Sequence, residues 1–284
     1  MQPQIQWPRA KYWDKAWNPI IGCKPCSPAC EHCYAKAMSE RFHKSFAPHA
    51  SSHERPPRSG VVFCGNMTDL FGDWAVKGTT LLTPIERWLS ETFRSRTIRY
   101  SLQNLSKDGT YLWLTKRATN MAKVLRDGKV DIGDQISHLA ELASMPRFRF
   151  GKDLLSDNYF GFTAENQKWW ETRIQQALEM PDWANKWLSL EPLLGPVDLF
   201  PVVRENYPAW NFKWCVVGCE SGPHRRPCKI EWVESIVEQC RSANIPVFVK
   251  QLDIGGKCER DIMKFPKHLQ IRQVPWAKKG ETKK

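Results

Sequence analysis

Tyr159-Phe160-Gly161-Phe162-Thr163-Ala164-Glu165-Asn166-Gln167 opens a stretch that continues through a polar, helix-length segment to Glu179. It closes on Trp187-Leu188-Ser189-Leu190-Glu191-Pro192. A short apolar run of aromatic and aliphatic residues is the signature of a strand buried on both faces. Asn166–Glu179 is long enough to cross from one such strand to the next, and Trp187–Leu190 repeats the first run. Two buried strands joined by a helix make a parallel βαβ unit. The same alternation extends in both directions. Val61–Cys64 and Tyr111–Leu114 precede the unit; Trp214–Val217 and Pro246–Val249 come after it. Helix-length stretches lie at Pro84–Arg94, Lys116–Arg126, Asp134–Ala143 and Glu231–Ser242, the last with Trp232, Ile236, Val237 and Cys240 at helical spacing. Ala16–Ile21 adds a further strand, followed by a cysteine-rich loop and a helix over Tyr34–Phe42. The expected fold is α/β, a partial or complete (β/α) barrel of about six or seven parallel strands. The barrel is expected as a single domain over residues 1–255, with 256–284 a basic C-terminal extension.

Polar residues come directly after each strand: Asn66-Met67-Thr68-Asp69, Thr115-Lys116-Arg117, Thr163-Ala164-Glu165-Asn166, Ser189–Pro192, Glu220-Ser221-Gly222 and Lys250-Gln251. In a parallel barrel these C-terminal ends converge on one face, which holds the active site. Capping of the next helix accounts well for Thr68 and Asn166. It accounts poorly for Lys116, Arg117, Glu165, Glu191, Glu220 and Lys250, which points to a shared polar site. Phe46–Gly60 reads as a surface loop, Gly195–Phe212 as a long connection, and the tail from Lys278 as basic. The glycines have neither Rossmann nor P-loop spacing.

The 284 residues are 42% hydrophobic and 25% charged, which excludes global disorder. A net charge of +12 makes a polyanionic partner such as nucleic acid plausible, and 14 tryptophans and 13 phenylalanines supply aromatic surface for it. No apolar run reaches the roughly 18 residues of a membrane span, and the N-terminus is no signal peptide, so a cytoplasmic protein with no membrane partner is expected. In that compartment the ten cysteines point to metal rather than disulfides.

The densest chemistry is Gly22-Cys23-Lys24-Pro25-Cys26-Ser27-Pro28-Ala29-Cys30-Glu31-His32-Cys33-Tyr34. Prolines stiffen this loop, which suits thiolates that must face one point. Cys23, Cys26, Cys30 and Cys33 allow a tetrahedral zinc site, a four-cysteine cluster, or a [4Fe-4S] cluster held by three cysteines with one iron open. Four reduced thiols without metal would be an oxidation liability. Cys64 and Cys215 in strands and Cys240 on a helix read as core residues. Cys219, Cys228 and Cys258 fall near strand ends or loops, with no ligand spacing among them.

Cys26-x3-Cys30-x2-Cys33 after a first strand resembles the signature of the radical S-adenosylmethionine superfamily. More specifically, the chain resembles a phage-associated, radical-SAM-like family with a three-cysteine motif, the phage gene-product thirty-seven/sixty-eight proteins, with a distant likeness to spore photoproduct lyase. Trp17–Cys23, Ser27–Ala35, Met67–Phe71, Leu114–Arg117, Glu165–Gln167, Leu190–Asp198, Gly218–Pro223, Arg226-Pro227 and Phe248–Gln251 carry it. There are two departures. The family's C-x6-C-x2-C pattern selects Cys23, Cys30 and Cys33 and leaves Cys26 as an extra thiol, and Cys219 stands where the family has glycine.

The resemblance implies a [4Fe-4S] cluster whose open iron chelates S-adenosyl-L-methionine, with one-electron cleavage releasing a 5′-deoxyadenosyl radical. It implies His32 near the adenine and Asn66, Thr68 and Asp69 near the methionyl amino group. Lys116 or Arg117 would neutralise the methionyl carboxylate or a substrate phosphate. Glu165, Glu191 and Glu220 would bind ribose hydroxyls or substrate, unless they are spent in salt bridges with Lys116, Arg117 or Lys250. The expected function is a radical-SAM-type enzyme acting on nucleic acid or a modified nucleobase in a phage-related setting, with a partner protein encoded nearby. The competing expectation is a non-enzymatic nucleic-acid-binding or defence-associated protein stabilised by an iron–sulfur or zinc site.

Overall fold

The computed structural model describes residues 5–7, 9–51, 56–57, 59–73, 109–127, 157–182, 184–199 and 212–276. The expected helices Pro84–Arg94 and Asp134–Ala143, most of the Gly195–Phe212 connection and the tail from Lys278 lie outside these residues.

In chain order the elements are β1 (Ile5–Gln6), β2 (Lys15–Trp17), β3 (Ile20–Ile21), α1 (Tyr34–Arg41), β4 (His49–Ala50), β5 (Gly60–Cys64) and β6 (Gly109–Thr115). They continue with α2 (Ala118–Asp127), β7 (Asn158–Thr163), α3 (Gln167–Leu178), β8 (Asn185–Leu190), β9 (Phe212–Gly218) and α4 (Ile230–Ser242). The chain then forms β10 (Val247–Ile254), β11 (Lys257–Glu259) and β12 (Gln273–Val274). One 8-stranded sheet runs β11-β10-β9-β8-β7-β6-β5-β2. Every neighbouring pair is parallel except β10–β11. The sheet curls into a half-barrel with β2 and β11 at its edges.

Both faces of the sheet are covered, and β7 is buried along its whole length. On one face lie α2, α3 and α4: Met121 and Ala122, then Trp170, Ile174 and Ala177, then Val233, Ile236, Val237 and Cys240 pack onto Val62, Trp113, Phe162, Leu188 and Val217. The opposite face carries an aromatic cluster of Tyr12, Phe63, Tyr159, Trp187, Trp214 and Phe248, closed by Trp7 and Val274. Tyr12 meets Trp214 edge-on at 5.0 Å and Trp187 lies 5.1 Å from Trp214, geometries that add to area burial. Gly161 makes room for this packing: a Cβ there would sit 2.4 Å from the Trp187 ring. Asn166 caps α3, accepting from the Trp169 N–H at 3.2 Å.

Two expectations need correction. Ala16–Ile21 is two strands, because Pro19 has no N–H and Asn18 spends its side chain on Asn66 and the Met67 N–H. β2 joins the main sheet beside β5, whereas β3 pairs with β4. β10 runs past Val249 to Ile254, so Lys250 and Gln251 lie within a strand, beside a register shift. The boundary expected at residue 255 falls inside the β10–β11 hairpin, and β12 pairs with β1 while Leu269 and Val274 are buried.

Candidate functional site: a cysteine loop clamped to the strand ends

The loop from Cys23 to Cys33 lies over the C-terminal ends of β5, β6 and β7. Its start is fixed by backbone bonds, with the Gly22 N–H donating to Met67 O at 3.1 Å and Cys23 N–H to Phe46 O at 3.1 Å. Gly22 sits at φ +94, and a Cβ there would lie 2.4 Å from the Ala47 carbonyl oxygen. Strand-end side chains hold the rest. Thr68 Oγ1 donates to Gly22 O at 2.6 Å, and Arg117 donates to Lys24 O at 2.8 Å. The Ser27 hydroxyl donates to Glu165, and Arg226 donates to Pro28 O at 3.0 Å. His32 Nδ1 lies 3.0 Å from Glu220 Oε2. Four separate strands thus brace one loop.

The clamps have their own supports. Asp69 accepts from Thr115 Oγ1 at 2.7 Å, from the Phe71 and Lys116 backbone N–H groups, and from Arg117 at 3.0 Å. Glu165 is 0% exposed and pairs with Arg173, itself 1% exposed, at 2.6 Å. Arg173 also donates to Thr163 O and stacks on Trp169. Burial would raise the Glu220 carboxyl, but hydrogen bonds from Arg226 and His32 outweigh it and hold the group below its ordinary value.

Cys23, Cys26, Cys30 and Cys33 line one pocket of about 140 Å³ with Asn66, Thr68, Asp69, Lys116 and Arg117. Phe63 and Leu114 of the aromatic face form part of its wall. The four thiols are not equivalent. Burial, reinforced by the Asp69 charge, pushes Cys23 up to about 11. The Cys26 thiol donates toward Cys30, which raises Cys26 and, with help from Lys116, brings Cys30 down to about 4. Burial alone would lower Lys116; the nearness of Cys30 and Glu165 reverses this and raises it. Its ammonium has no hydrogen-bond partner among the described residues. Also among the described residues, no three His, Cys, Asp or Glu side chains gather closely enough to hold a single metal ion.

The expected site residues therefore divide. The four cysteines, Asn66, Thr68, Asp69, Lys116 and Arg117 share the pocket. His32, Glu165 and Glu220 are engaged in clamps behind it, and Glu191 pairs with Lys250 at 2.5 Å toward the β8–β10 side. Thr68 does not cap a helix but bonds the loop. Sequence reasoning missed Ser27, Asn18, Arg173 and Tyr34, which lines the pocket and donates its hydroxyl to Asn66 O. Only Arg173 left a signal: it falls on the apolar face of α3 between Trp170 and Ile174, where a charge needs a partner. Among the described residues, several of the tryptophans expected as aromatic surface are core, with Trp17, Trp170, Trp187 and Trp214 fully buried. No helix among the described residues is long and apolar enough to cross a membrane.

The fold and pocket define an α/β protein with a curled, mostly parallel half-barrel, whose strand C-terminal ends brace a four-cysteine loop. The chain belongs to the family described as protein of unknown function DUF5131, which matches residues 5–274. No curated protein and no solved structure matches it.

Proposed function

We propose that this protein is an iron–sulfur enzyme of the radical S-adenosylmethionine type, acting on nucleic acid or a modified nucleobase. The observation that carries the reading is the meeting of Cys23, Cys26, Cys30 and Cys33 with Lys116 and Arg117 in one pocket over the strand C-terminal ends. That is where parallel α/β folds place their chemistry. The residues fit an iron–sulfur cluster: thiolates are its ligands, and a thiolate-bound cluster is anionic. The Lys116 ammonium, without a hydrogen-bond partner among the described residues, lies in the pocket near Cys30 and would compensate that charge. Cys23, Cys30 and Cys33 would hold the cluster, leaving one iron for S-adenosylmethionine. Bound there, the pair supplies one-electron chemistry at a carbon–sulfur bond. Arg117, Thr68, the Ser27–Glu165 contact and Arg226 keep the loop in place, and the aromatic face beneath excludes water.

The nucleic-acid part rests on the surface beside the loop. Lys24, Lys36, Arg41 and Lys44 are exposed there, and α1 with its C-cap presents Tyr34 and Phe42, 51% and 61% exposed. Cations track phosphates and exposed aromatics stack on bases.

A second reading is favoured by Cys26, which lines the same pocket as Cys23, Cys30 and Cys33. Were all four thiols ligands, no iron would be open and the site would be a structural metal centre in a nucleic-acid-binding protein. Anaerobic reconstitution separates the two. About four irons and sulfides per chain, with 5′-deoxyadenosine formed on reduction, support the enzyme. One zinc per chain and no iron after anaerobic purification sinks it. Separate Cys23→Ala and Cys26→Ala variants identify the third ligand: the variant that keeps its cluster has lost only the spare thiol.

A further inference from the structure

We infer that Ser189, Glu191 and Lys250, on the aromatic face where β8 ends and β10 shifts register, form with Trp13 a nucleobase-binding subsite beside the cysteine pocket. The assignment rests on the reading of this protein as one that acts on a nucleobase, and it names where the base sits. Side chains alternate along a strand, so Ser189 turns to the same face of β8 as Trp187, which belongs to the aromatic cluster. Lys250 reaches that face from β10: its ammonium stands 5.7 Å from the Tyr12 ring and 5.5 Å from the Trp13 ring. It meets Glu191 Oε1 at 2.5 Å.

Two lines of contact join these groups to the pocket. Thr163 lines the pocket, and Ser189 is its register partner on the neighbouring strand. Adjacent strands lie about 4.8 Å apart and turn paired side chains to the same face, so the pocket wall runs on from Thr163 to Ser189. The second line is aromatic. Phe63 also lines the pocket, the Trp13 ring lies 5.0 Å from it, and Lys250 stands over Trp13. The wall is therefore continuous from the cysteine loop to the Glu191–Lys250 pair.

These groups keep hydrogen-bonding capacity in hand. Ser189 is buried, and its hydroxyl has no hydrogen-bond partner among the described residues. A buried hydroxyl in that position is a standing cost, which the polar edge of a ligand removes. Glu191 Oε1 accepts from Lys250 and, at 3.5 Å, from Gln251 Nε2, while Oε2 has no hydrogen-bond partner among the described residues. Both side chains of the pair remain partly exposed. An ionised carboxylate only accepts and an ammonium only donates, so the ligand must carry an N–H next to a carbonyl or ring nitrogen. The Watson–Crick edge of a base has that pattern, and its flat ring stacks on the half-buried Trp13. A phosphate is repelled by Glu191, and a ribose has no flat face for Trp13. The exposed Lys11 ammonium, 5.4 Å from the Trp13 ring, yields to the base and is left for its phosphate.

Equilibrium binding tests the subsite without any step at the cysteine loop. Full-length protein purified anaerobically is titrated, by fluorescence anisotropy, with labelled single-stranded decamers of equal phosphate charge, made in DNA and in RNA. One strand is abasic throughout, and the others each carry a single adenine, cytosine, guanine, or thymine or uracil at the centre. At least one base-bearing strand is expected to bind about tenfold tighter than the abasic strand at the same salt. Trp13→Leu, Glu191→Gln and Ser189→Ala each reduce that preference while affinity for the abasic strand is kept. Ser189→Ala removes an unpartnered buried hydroxyl and is expected to fold as well as the wild type, so it decides the matter even where the other variants fail to fold. Equal binding of base-bearing and abasic strands, or a preference that survives intact in folded Ser189→Ala, overturns the subsite and leaves the enzyme reading standing. No binding of any strand at low salt overturns the nucleic-acid reading and the subsite with it.

Discussion

Asp69, Glu165 and Glu220 each stand at a strand end, and each is occupied with partners that fix the cysteine loop. Their charges act through position. Breaking one buried pair exposes the cost: in Arg173→Met, Glu165 loses its ion pair inside the protein. That substitution is expected to lower stability by about 3–5 kcal/mol, read as a fall in the urea midpoint. Lys116 is different, since its ammonium lies in the pocket near Cys30 without a hydrogen-bond partner among the described residues. Lys116→Met is expected to weaken iron retention about 10–100-fold with little change in thermal midpoint, and Lys116→Arg to restore part of it. Equal retention by all three proteins would remove Lys116 from the site. Cys258 gives a pH prediction. Its thiolate is the reactive form, so alkylation slows as pH falls through about 7 and levels off above it. A midpoint at the ordinary thiol value would mean that the nearby Cys219 thiol and the Arg260 and Arg225 charges, which lower Cys258 against the cost of burial, do not act on it.

At the scale of elements, the strands arise from side-chain pattern. Each expected run among the described residues became a strand because a short apolar, aromatic stretch flanked by polar residues can bury both faces only within a sheet. The exceptions are local. Pro19 split one strand, and a register shift let β10 run on past Val249. The loop's entry depends on backbone conformation. Gly22→Ala places a Cβ against the Ala47 carbonyl at a φ that side chains avoid, and is expected to cost about 1–3 kcal/mol and lower cluster loading. Gly161→Ala places a Cβ against the Trp187 ring on the aromatic face. It is expected to cost about 1–3 kcal/mol in stability while the iron content of the folded protein is unchanged. Loss of iron from folded Gly161→Ala would mean that the aromatic face also shapes the pocket.

At the scale of the whole molecule, the +12 charge and the exposed cations beside α1 predict binding to polyanions that weakens steeply with salt. Titration of single- and double-stranded DNA or RNA against ionic strength checks this, and no affinity even at low salt would remove the nucleic-acid part of the reading. Tyr34→Ala and Phe42→Ala are expected to weaken single-strand binding by about 1–3 kcal/mol each if the bases stack there. The sequence by itself determined the βαβ alternation, the cysteine loop and the polar strand ends, because buried strands, helix periodicity and ligand spacing are local patterns. Only the tertiary structure decided which charges face the pocket and which are spent as clamps, since Ser27 with Glu165, or His32 with Glu220, are more than a hundred residues apart. It also decided that Trp17, Trp170, Trp187 and Trp214 are fully buried in the core. Those outcomes depend on which strands become neighbours, and no local pattern encodes that.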